Sequence, residues 1–548
     1  MTQSTQSTPS IPLVRCVAMG ALALAAAACV DLTETPITGI TSAYYGTPEG
    51  FAAAVNASYE TLRTFYGQER GLTLTVFGTD EFRVGADGSH KSIGFYNSGL
   101  NGDESYFRDA WRDFYRGINT ANTAIADSTV PMDATLRTQR IAEARFLRAL
   151  YYFDLVRMFG PVPLLLKPTQ GALTEAQRDS VSAVYDAIVA DLQFAKGNLP
   201  TTQKDYGRAT SPAAQHLLAL VYLTRAGTGD MALAATEAKA VINSGLFKLT
   251  PKYSDLWALG NERNSEVVWS VQFTEDPLTT GPGNSSHLYF LMAYELFPGM
   301  VRDMANGRAF KRFRPTDYLL NLWDRTKDSR YDDSFTNVYY ANNPASIPKD
   351  ASGKPKFAVG DTAIFMPGVE WTAAQIAAKP YTVLTPSKYT DAAFPSFNKK
   401  FIEPNRLTVN ETRGSRDWQL FRLAETYLIA AEALMRDGNL TEAVTYVNAV
   451  RERAAKPGVL KTDMDVTTAA LNLDFILDER SRELAGEGMR WFDLVRTGKL
   501  VSRVKLYNNY TQGGSNPAAS IQDYHARRPI PNEQITLTSN KFPQNPGY

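Results

Sequence analysis

The sequence predicts a mainly α protein: a tetratricopeptide-like α-solenoid scaffold with long irregular loop and short-strand excursions. Three observations carry this expectation. Apolar residues recur at helical spacing from Pro48 to about Ser244, and again from Trp418. Helical segments in both regions come in pairs joined by short links, with small and large residues alternating across the turn. Between them, from about Asn261 to Arg413, the chain loses its period and fills with Pro, Gly, Asn, Asp and aromatic residues.

In chain order the first element is a leader. Residues 1–10 are polar, Arg15 supplies a positive charge, and Cys16 to Ala28 is an apolar run. As a helix that run would reach about 20 Å, short of a bilayer core of about 30 Å. Its length and flanks fit a secretory signal over 1–28. The run ends on Cys29, the second of two cysteines in the 548 residues. An ordinary signal would leave Cys29 as a stray thiol in an oxidising compartment. Leu24-Ala25-Ala26-Ala27-Ala28-Cys29 instead resembles a bacterial lipobox, although Ala26 rather than Leu stands three before the cysteine. Cleavage there with acylation of Cys29 would use both cysteines, one lost with the leader and one lipidated. Several acyl chains, at about 0.8 kcal/mol per buried CH₂, hold a protein to a membrane without a spanning helix. No later stretch approaches the length of apolar run that spanning requires.

The helical part follows. Thr47-Pro48-Glu49 reads as a helix start: a capping hydroxyl, Pro at the first position and an acid in the first turn. Further helices are expected from about Ser105 through "WRDFYRGINTANTAIAD", in "RIAEARFLRALYYFDLVRMFG", and in "SVSAVYDAIVADLQFAK". "SPAAQHLLALVYLTRAG" and "DMALAATEAKAVINSG" complete the set. "RIAEARFLRALYYFDLVRMFG" is apolar on more than one side, as a helix between neighbours must be, and Gly160-Pro161 stops it. "SEVVWSVQF" reads as a strand. Helices are expected again from Trp418, where Leu420, Leu423, Ala424, Tyr427, Leu428, Ala431, Leu434 and Met435 form one helical stripe. Gly438-Asn439 turns the chain, and Ala443, Tyr446, Val447 and Val450 line the partner helix. The organisation expected is a signal over 1–28, an N-terminal helical part over 29–260, an aromatic-rich ligand-face segment over 261–415, and C-terminal helices with an ordered tail over 416–548.

Composition narrows the function. Lys+Arg and Asp+Glu are equal at 57 each, so no global field draws in nucleic acid. The four histidines have no zinc spacing with cysteine. Phosphate-binding glycine loops, GxSxG and HExxH are absent from the sequence. A structural calcium ion in the loop region has no ligand motif behind it, and no cofactor is expected.

The densest charged stretch is "LDERSRELAGEGMRWFDLVRTGKL". Asp478 and Arg482 stand four apart in the order that favours pairing on a helix. Glu483 and Glu487 could be drawn as an acid/base pair, but an elbow between two helices, held by ion pairs on a solvated or paired face, is the plainer reading. Adjacent acids in "TDEF" and "RYDDSF" fit turns and caps better than the two spaced carboxyls of a glycosidase. The aromatic residues outside the solenoid are more informative. A flat ring stacks on the apolar face of a sugar or peptide while nearby Asn, Asp and Arg read its polar edge. On position and chemistry, Asp80, Tyr96, Asn101, Tyr289, Tyr294 and Trp323 are the candidate ligand residues. They sit on loops near residues 80–101 and 284–340.

Ten stretches, in order, resemble the SusD/RagB family of outer-membrane nutrient-binding lipoproteins across nearly the whole chain. They are "CVDLTETP", "YYGTPEGFAAAVNASYETL", "WRDFYRGINTANTAI", "AEARFLRALYYFDLVRMFGPVPL", "RATSPAAQHLLALVYL", "FRLAETYLIAAEAL", "NAVRERA", "ERSRELAGEGMRWFDLVRTGKL", "RPIPNEQI" and "QNPGY". The resemblance implies a surface-exposed, lipid-anchored outer-membrane protein of a Bacteroidota-like bacterium. It implies capture of oligosaccharides or peptides without chemistry, and hand-over to a SusC-like TonB-dependent transporter. Family ligand contacts form no fixed motif, so only Cys29 is carried over by position. The rival readings are an extracellular glycoside hydrolase or peptidase and a helical-repeat adaptor that binds no small ligand.

Overall fold

Helix α1, Pro48–Glu60, begins where the sequence places it: the Gly50 amide donates to Thr47 Oγ1 at 3.1 Å and Pro48 opens the first turn. The structure, a computed structural model, describes residue 2 and residues 42–126, 129–169, 171, 174–276, 278–539 and 542–548. The expected leader and Cys29 lie outside the described residues. The chain divides into two units, Met1–Tyr44, of which the structure describes only residue 2 and residues 42–44, and Tyr45–Tyr548, which carries everything below.

Five more helices follow α1: α2 (Ser105–Ala126), α3 (Ala134–Phe159), α4 (Val181–Asn198), α5 (Ser211–Arg225) and α6 (Asp230–Ile242). Each packs on the next in antiparallel steps. Asp133 caps α3 seven residues before the stretch that the apolar pattern marks, accepting from the Leu136 amide at 2.8 Å. Apolar side chains on several faces of α3, among them Phe146, Leu147, Tyr151, Phe153 and Leu155, are fully buried, as expected of a helix between neighbours.

The irregular excursion leaves after α6. It carries β2 (Val267–Val271), paired later in the chain, β3 (Phe313–Pro315), and a three-stranded sheet of β4 (Val338–Tyr340), β5 (Thr362–Phe365) and β6 (Thr382–Val383). The short strand β1 (Phe82–Val84), between α1 and α2, pairs with β3. The small sheet has its own core of Met292, Tyr294, Met300, Tyr339, Ile364 and Phe394.

Residues 418–422 differ from expectation. Trp418–Arg422 is not helix but strand β7, antiparallel to β2. Strand β7 is buried throughout, so a run that reads as part of a helical stripe is a short core strand, which periodicity alone does not distinguish. Helix α7 (Leu423–Arg436) starts directly after it and turns into α8 (Leu440–Arg453), capped by Asn439. Helix α7 packs on α6 as well as on α8, so the helical stack resumes where the excursion interrupted it. Helices α9 (Leu473–Leu484), α10 (Arg490–Arg496) and α11 (Leu500–Tyr507) close the array. No helix of the described residues is long and apolar enough to cross a membrane.

The elbow between α9 and α10 is held by ion pairs, but not on a solvated face. Gly486 turns it at φ 77°, where an added Cβ would stand 2.9 Å from the Phe397 ring. Glu483 is fully buried and receives Arg330 Nη1 at 2.9 Å, Arg422 Nη1 at 2.6 Å and Arg453 Nη2. Glu487 receives Arg422 Nε and Lys400 Nζ, both at 2.7 Å. The expected Asp478–Arg482 pair is replaced: Arg482 meets Glu479 at 3.0 Å, and Asp478 meets Arg503 of α11. Asp478 takes a tertiary partner, while Arg482 joins Arg330 and Arg451 around the fully buried Glu479, whose charge needs several cations to offset its desolvation.

Glu81, next to β1, stands at the edge of this charged core. Its Oε1 accepts from Ser481 Oγ at 2.8 Å, while Oε2 is buried without a partner. Burial pushes its carboxyl up to about 7, with Arg490 opposing and Asp80 adding to the rise. An acid raised in the folded state binds more protons folded than unfolded, so stability falls as pH rises from about 4.5 to about 7. Glu81→Gln keeps the Ser481 bond and removes the charge. It is expected to raise stability at pH 8 by on the order of 2 kcal/mol, with the gain vanishing toward pH 4.5. Thermal melts at both pH values check this, and equal melting of variant and parent at pH 8 would reject it.

Candidate functional site: a ring-bearing face built on the β1–β3 pair

Two strands distant in sequence bring two loops together. Strands β1 and β3 run antiparallel with Phe82 opposite Pro315, Arg83 opposite Arg314 and Val84 opposite Phe313. Alternation sends Phe82, Val84 and Phe313 into the core. There Phe82 meets Phe290 and Phe397 at 5.0 and 5.4 Å, and Phe313 meets Phe77 at 5.2 Å. The pairing runs on into the loops, with the Gly85 amide donating to Arg312 O at 2.9 Å. Gly88, at φ 109°, lets its loop close on Arg312, whose Cδ would lie 2.7 Å from an added Cβ. Residues 85–106 and 302–312 therefore emerge side by side.

Three half-buried rings stand on these loops. His90 lies on Tyr106 with ring centres 3.6 Å apart and planes 18° from parallel. His90 Nδ1 bonds Glu104 Oε1 at 2.5 Å, which fixes the plate from behind. Burial acts to raise the Glu104 carboxyl, but the His90 bond and charge outweigh it and hold it below its usual range. The Tyr106 hydroxyl has no hydrogen-bond partner among the described residues, and burial, helped by the Glu69 charge, pushes it up. Phe310 is backed by Tyr289 at 6.1 Å and flanked by the guanidinium groups of Arg308 and Arg312 at 4.9 and 5.2 Å. Arg312 Nε is fixed by Glu69 Oε1, and Lys311 Nζ by Asp87 Oδ2, each at 2.7 Å.

Backbone strain concentrates at the same place. Five non-glycine residues among those described have positive φ, and His90 (63°), Tyr96 (53°) and Lys311 (47°) belong to these loops. Strain of about 1–3 kcal/mol per residue persists only where surrounding contacts over-determine it, and it clusters at binding and switch regions. The arrangement is a preformed group of half-buried rings, with Asp87, Arg308 and the free Tyr106 hydroxyl as its polar groups. It can stack on the apolar face of a sugar and bond its hydroxyls.

The residues expected from the sequence to touch ligand are placed differently, and five of the six are corrected here to structural roles. Asp80 is fully buried and bonds Arg490 through Nε at 2.7 Å and Nη2 at 2.5 Å, and Arg503 Nε at 2.8 Å. Tyr96 is buried and donates to Gly78 O at 3.0 Å. Tyr289 is buried behind Phe310 and donates to Ser285 Oγ at 2.7 Å. Tyr294 is fully buried, donates to Gly307 O at 2.5 Å and stacks on Tyr339 in the small core. Trp323 is buried among Tyr331 and Phe335, with Nε1 donating to Arg482 O at 3.3 Å. Asn101 is half-buried and closes a turn, accepting from the Asp103 amide at 2.9 Å and donating to Ser98 O at 3.1 Å. The segment's helices are too short to carry an aliphatic stripe, so its large rings form much of its core. The same stretches of chain also carry the half-buried rings His90, Tyr106 and Phe310. The pattern Arg308-x-Phe310-x-Arg312, a ring between two cations in an unpatterned segment, is the signal that points to one of them.

No group of three or more His, Cys, Asp or Glu among the described residues is arranged to hold a metal ion. Comparison with known proteins agrees with the fold. The SusD family model matches residues 265–548, and a model described as "Starch-binding associating with outer membrane" matches residues 53–223. SusD-like protein P2 of Formosa agariphila is 29% identical over 556 residues, covering 96% of this chain and 98% of its own. Starch-binding protein SusD of Bacteroides thetaiotaomicron is 28% identical over 437 residues, covering 76% of this chain and 74% of its own. The solved structure of a laminarin-binding SusD-like protein superposes with a TM-score of 0.68 at 26% identity, covering 92% of this chain and all of that one. With a family model spanning more than half of its length and relatives aligned nearly end to end, the chain belongs to the SusD family.

Proposed function

We propose that the face formed by residues 85–106 and 302–312 captures an oligosaccharide at the outer-membrane surface, and that the chain passes it unaltered to a SusC-like TonB-dependent transporter. The observation that carries this reading is the preformed group of His90, Tyr106 and Phe310, half-buried against the core on strained loops and fixed by contacts from behind. Preorganised rings lose little entropy on binding, which suits reversible capture. The relatives named for starch and laminarin binding support a glycan as the cargo. Acylation of Cys29 supplies the tether in this reading, since the described residues contain no membrane-spanning helix.

Calorimetric titration with laminarihexaose and a panel of other oligosaccharides tests the site. Tyr106→Ala and Phe310→Ala are each expected to weaken binding about tenfold or more, the loss of one stacked ring, with thermal melting still cooperative. Unchanged affinity in both variants would remove the face from consideration. Release of shorter sugars from any of the panel would favour the hydrolase reading. Mass spectrometry of the protein from its native host, finding Cys29 free, would reject the tether.

A further inference from the structure

The cations on this face are not all compensated. Over the whole chain positive and negative residues balance at 57 each. On the face, Lys311 pairs with Asp87, Arg312 with Glu69 and Arg302 with Glu295, each at 2.7 Å. Three places break the pattern. Arg308 donates only to the carbonyl of Asn410, at 2.8 Å, and meets no carboxylate among the described residues. Lys91 Nζ likewise has only the Ala86 carbonyl, at 2.8 Å. Arg83 and Arg314 stand directly opposite one another across β1 and β3 and share one carboxylate, Asp391, at 3.1 and 2.8 Å.

Like charges opposite one another weaken a strand pair, and one shared acid offsets only half of this one. Arg83 lies 3.4 Å from the Tyr510 ring centre, and its Nε has no partner. Burial and then the Arg314 charge hold its guanidinium below the usual arginine range, against the opposing pull of Tyr510, Asp391 and Asp317. Asp317 therefore acts on Arg83 without an ion pair. Asp303, the one acid of the 302–314 segment, is satisfied by Asn306 and Asn342 rather than by a cation.

We infer that the captured glycan is acidic, with oxyanion substituents seated on Arg308 and Lys91 while its rings lie on Phe310 and the His90–Tyr106 pair, and with the half-covered Arg83–Arg314 pair adding positive field behind the loops. This rests on the oligosaccharide reading of the same face. A guanidinium without a carboxylate presents a planar fork of donors that matches either a carboxylate or a sulfate. Arg308 beside Phe310 places such a fork next to a stacking ring, so charge and ring would be read on the same sugar residue. Surplus positive charge also rejects none of the hydroxyl contacts a neutral sugar makes, so selectivity comes from added attraction to the acid.

The experiment is calorimetric titration of the full folded chain with four probes: laminarihexaose, an oligogalacturonate, a sulfated galactan oligosaccharide and polyglutamate. At least one acidic oligosaccharide is expected to bind about tenfold or more tightly than laminarihexaose. That preference is expected to shrink when NaCl rises from about 50 to about 500 mM. A preference for the uronate or for the sulfate ester tells which oxyanion the forks accept. Arg308→Gln and Lys91→Gln are expected to abolish the preference, so that the acidic oligosaccharides bind no more tightly than laminarihexaose does to the same variant. Equal binding of neutral and acidic oligosaccharides, or a preference that survives both substitutions, overturns the inference and leaves oligosaccharide capture standing. Polyglutamate binding as tightly as the acidic sugars overturns it as bare charge attraction. Binding by none of the four probes overturns it together with the capture reading.

Discussion

Glu483→Ala is expected to lower the stability of the folded chain by about 3–5 kcal/mol, the cost of breaking a buried charged cluster by removing one member. The carboxylate is fully buried and accepts from three guanidinium groups on three separate elements: Arg330 of the excursion, Arg422 of β7 and Arg453 of α8. Arg330 keeps Asp328 and Glu479, and Arg422 keeps Glu266 and Glu487. Arg453 keeps only Glu266, so the substitution leaves it under-compensated in the interior. Burial alone would raise the Glu483 carboxyl, but Arg453, Arg422 and Arg330 outweigh it and hold it well below the usual range. Glu479, in the same cluster, is drawn to about 2 against its own burial by Arg330, Arg451 and Arg482. Carboxyls depressed in the folded state stabilise it above their unfolded pKa near 4.5 and lose that contribution as pH falls toward 2. Urea unfolding across pH 3 to 7 reads both effects. Glu483→Ala should show a lower midpoint at pH 7 and a flatter acid limb. A midpoint within about 1 kcal/mol of the parent, the range of an exposed pair, would mean the cluster contributes no more than a surface contact.

Asp80→Ala separates the ligand role that the sequence points to from the role found. Asp80 bonds Arg490 of α10 through both carboxylate oxygens and Arg503 of α11 through one. Without it Arg490 retains the Leu477 carbonyl at 2.7 Å and Glu81 at 3.6 Å, and Arg503 retains Asp478. A loss of about 3–5 kcal/mol is expected here too. The molecules that remain folded should bind oligosaccharide as the parent does, because Asp80 is sealed from the face. Melting and titration on the same sample decide the matter: a parent-like melt with lost binding would return Asp80 to the ligand site.

Both residues show how far the sequence is legible. The helices α1 to α6, and α7 with α8, follow from caps, glycine stops and apolar stripes, because each is a local property of a dozen or so residues. Trp418–Arg422 is the exception among them. Five buried residues carry no period, and only pairing with Val267–Val271 makes them a strand. Tyr96, Tyr289, Tyr294 and Trp323 are misread for a related reason: an aromatic ring in an unpatterned segment has the same identity whether it faces solvent or fills a core. The irregular stretches themselves are legible, because Gly, Asn and Pro mark where the chain cannot continue an element.

The sequence by itself determined the helical frame, the family and where the chain turns irregular, since capping, periodicity and an ordered set of motifs are written within short windows. Only the tertiary structure decided which rings stand in the open, which charges meet, and that residues 85–106 and 302–312 form one face. Those outcomes depend on partners far apart in the chain, Phe82 on Pro315 and Glu483 on Arg330, and a contact between distant residues leaves no spacing to read.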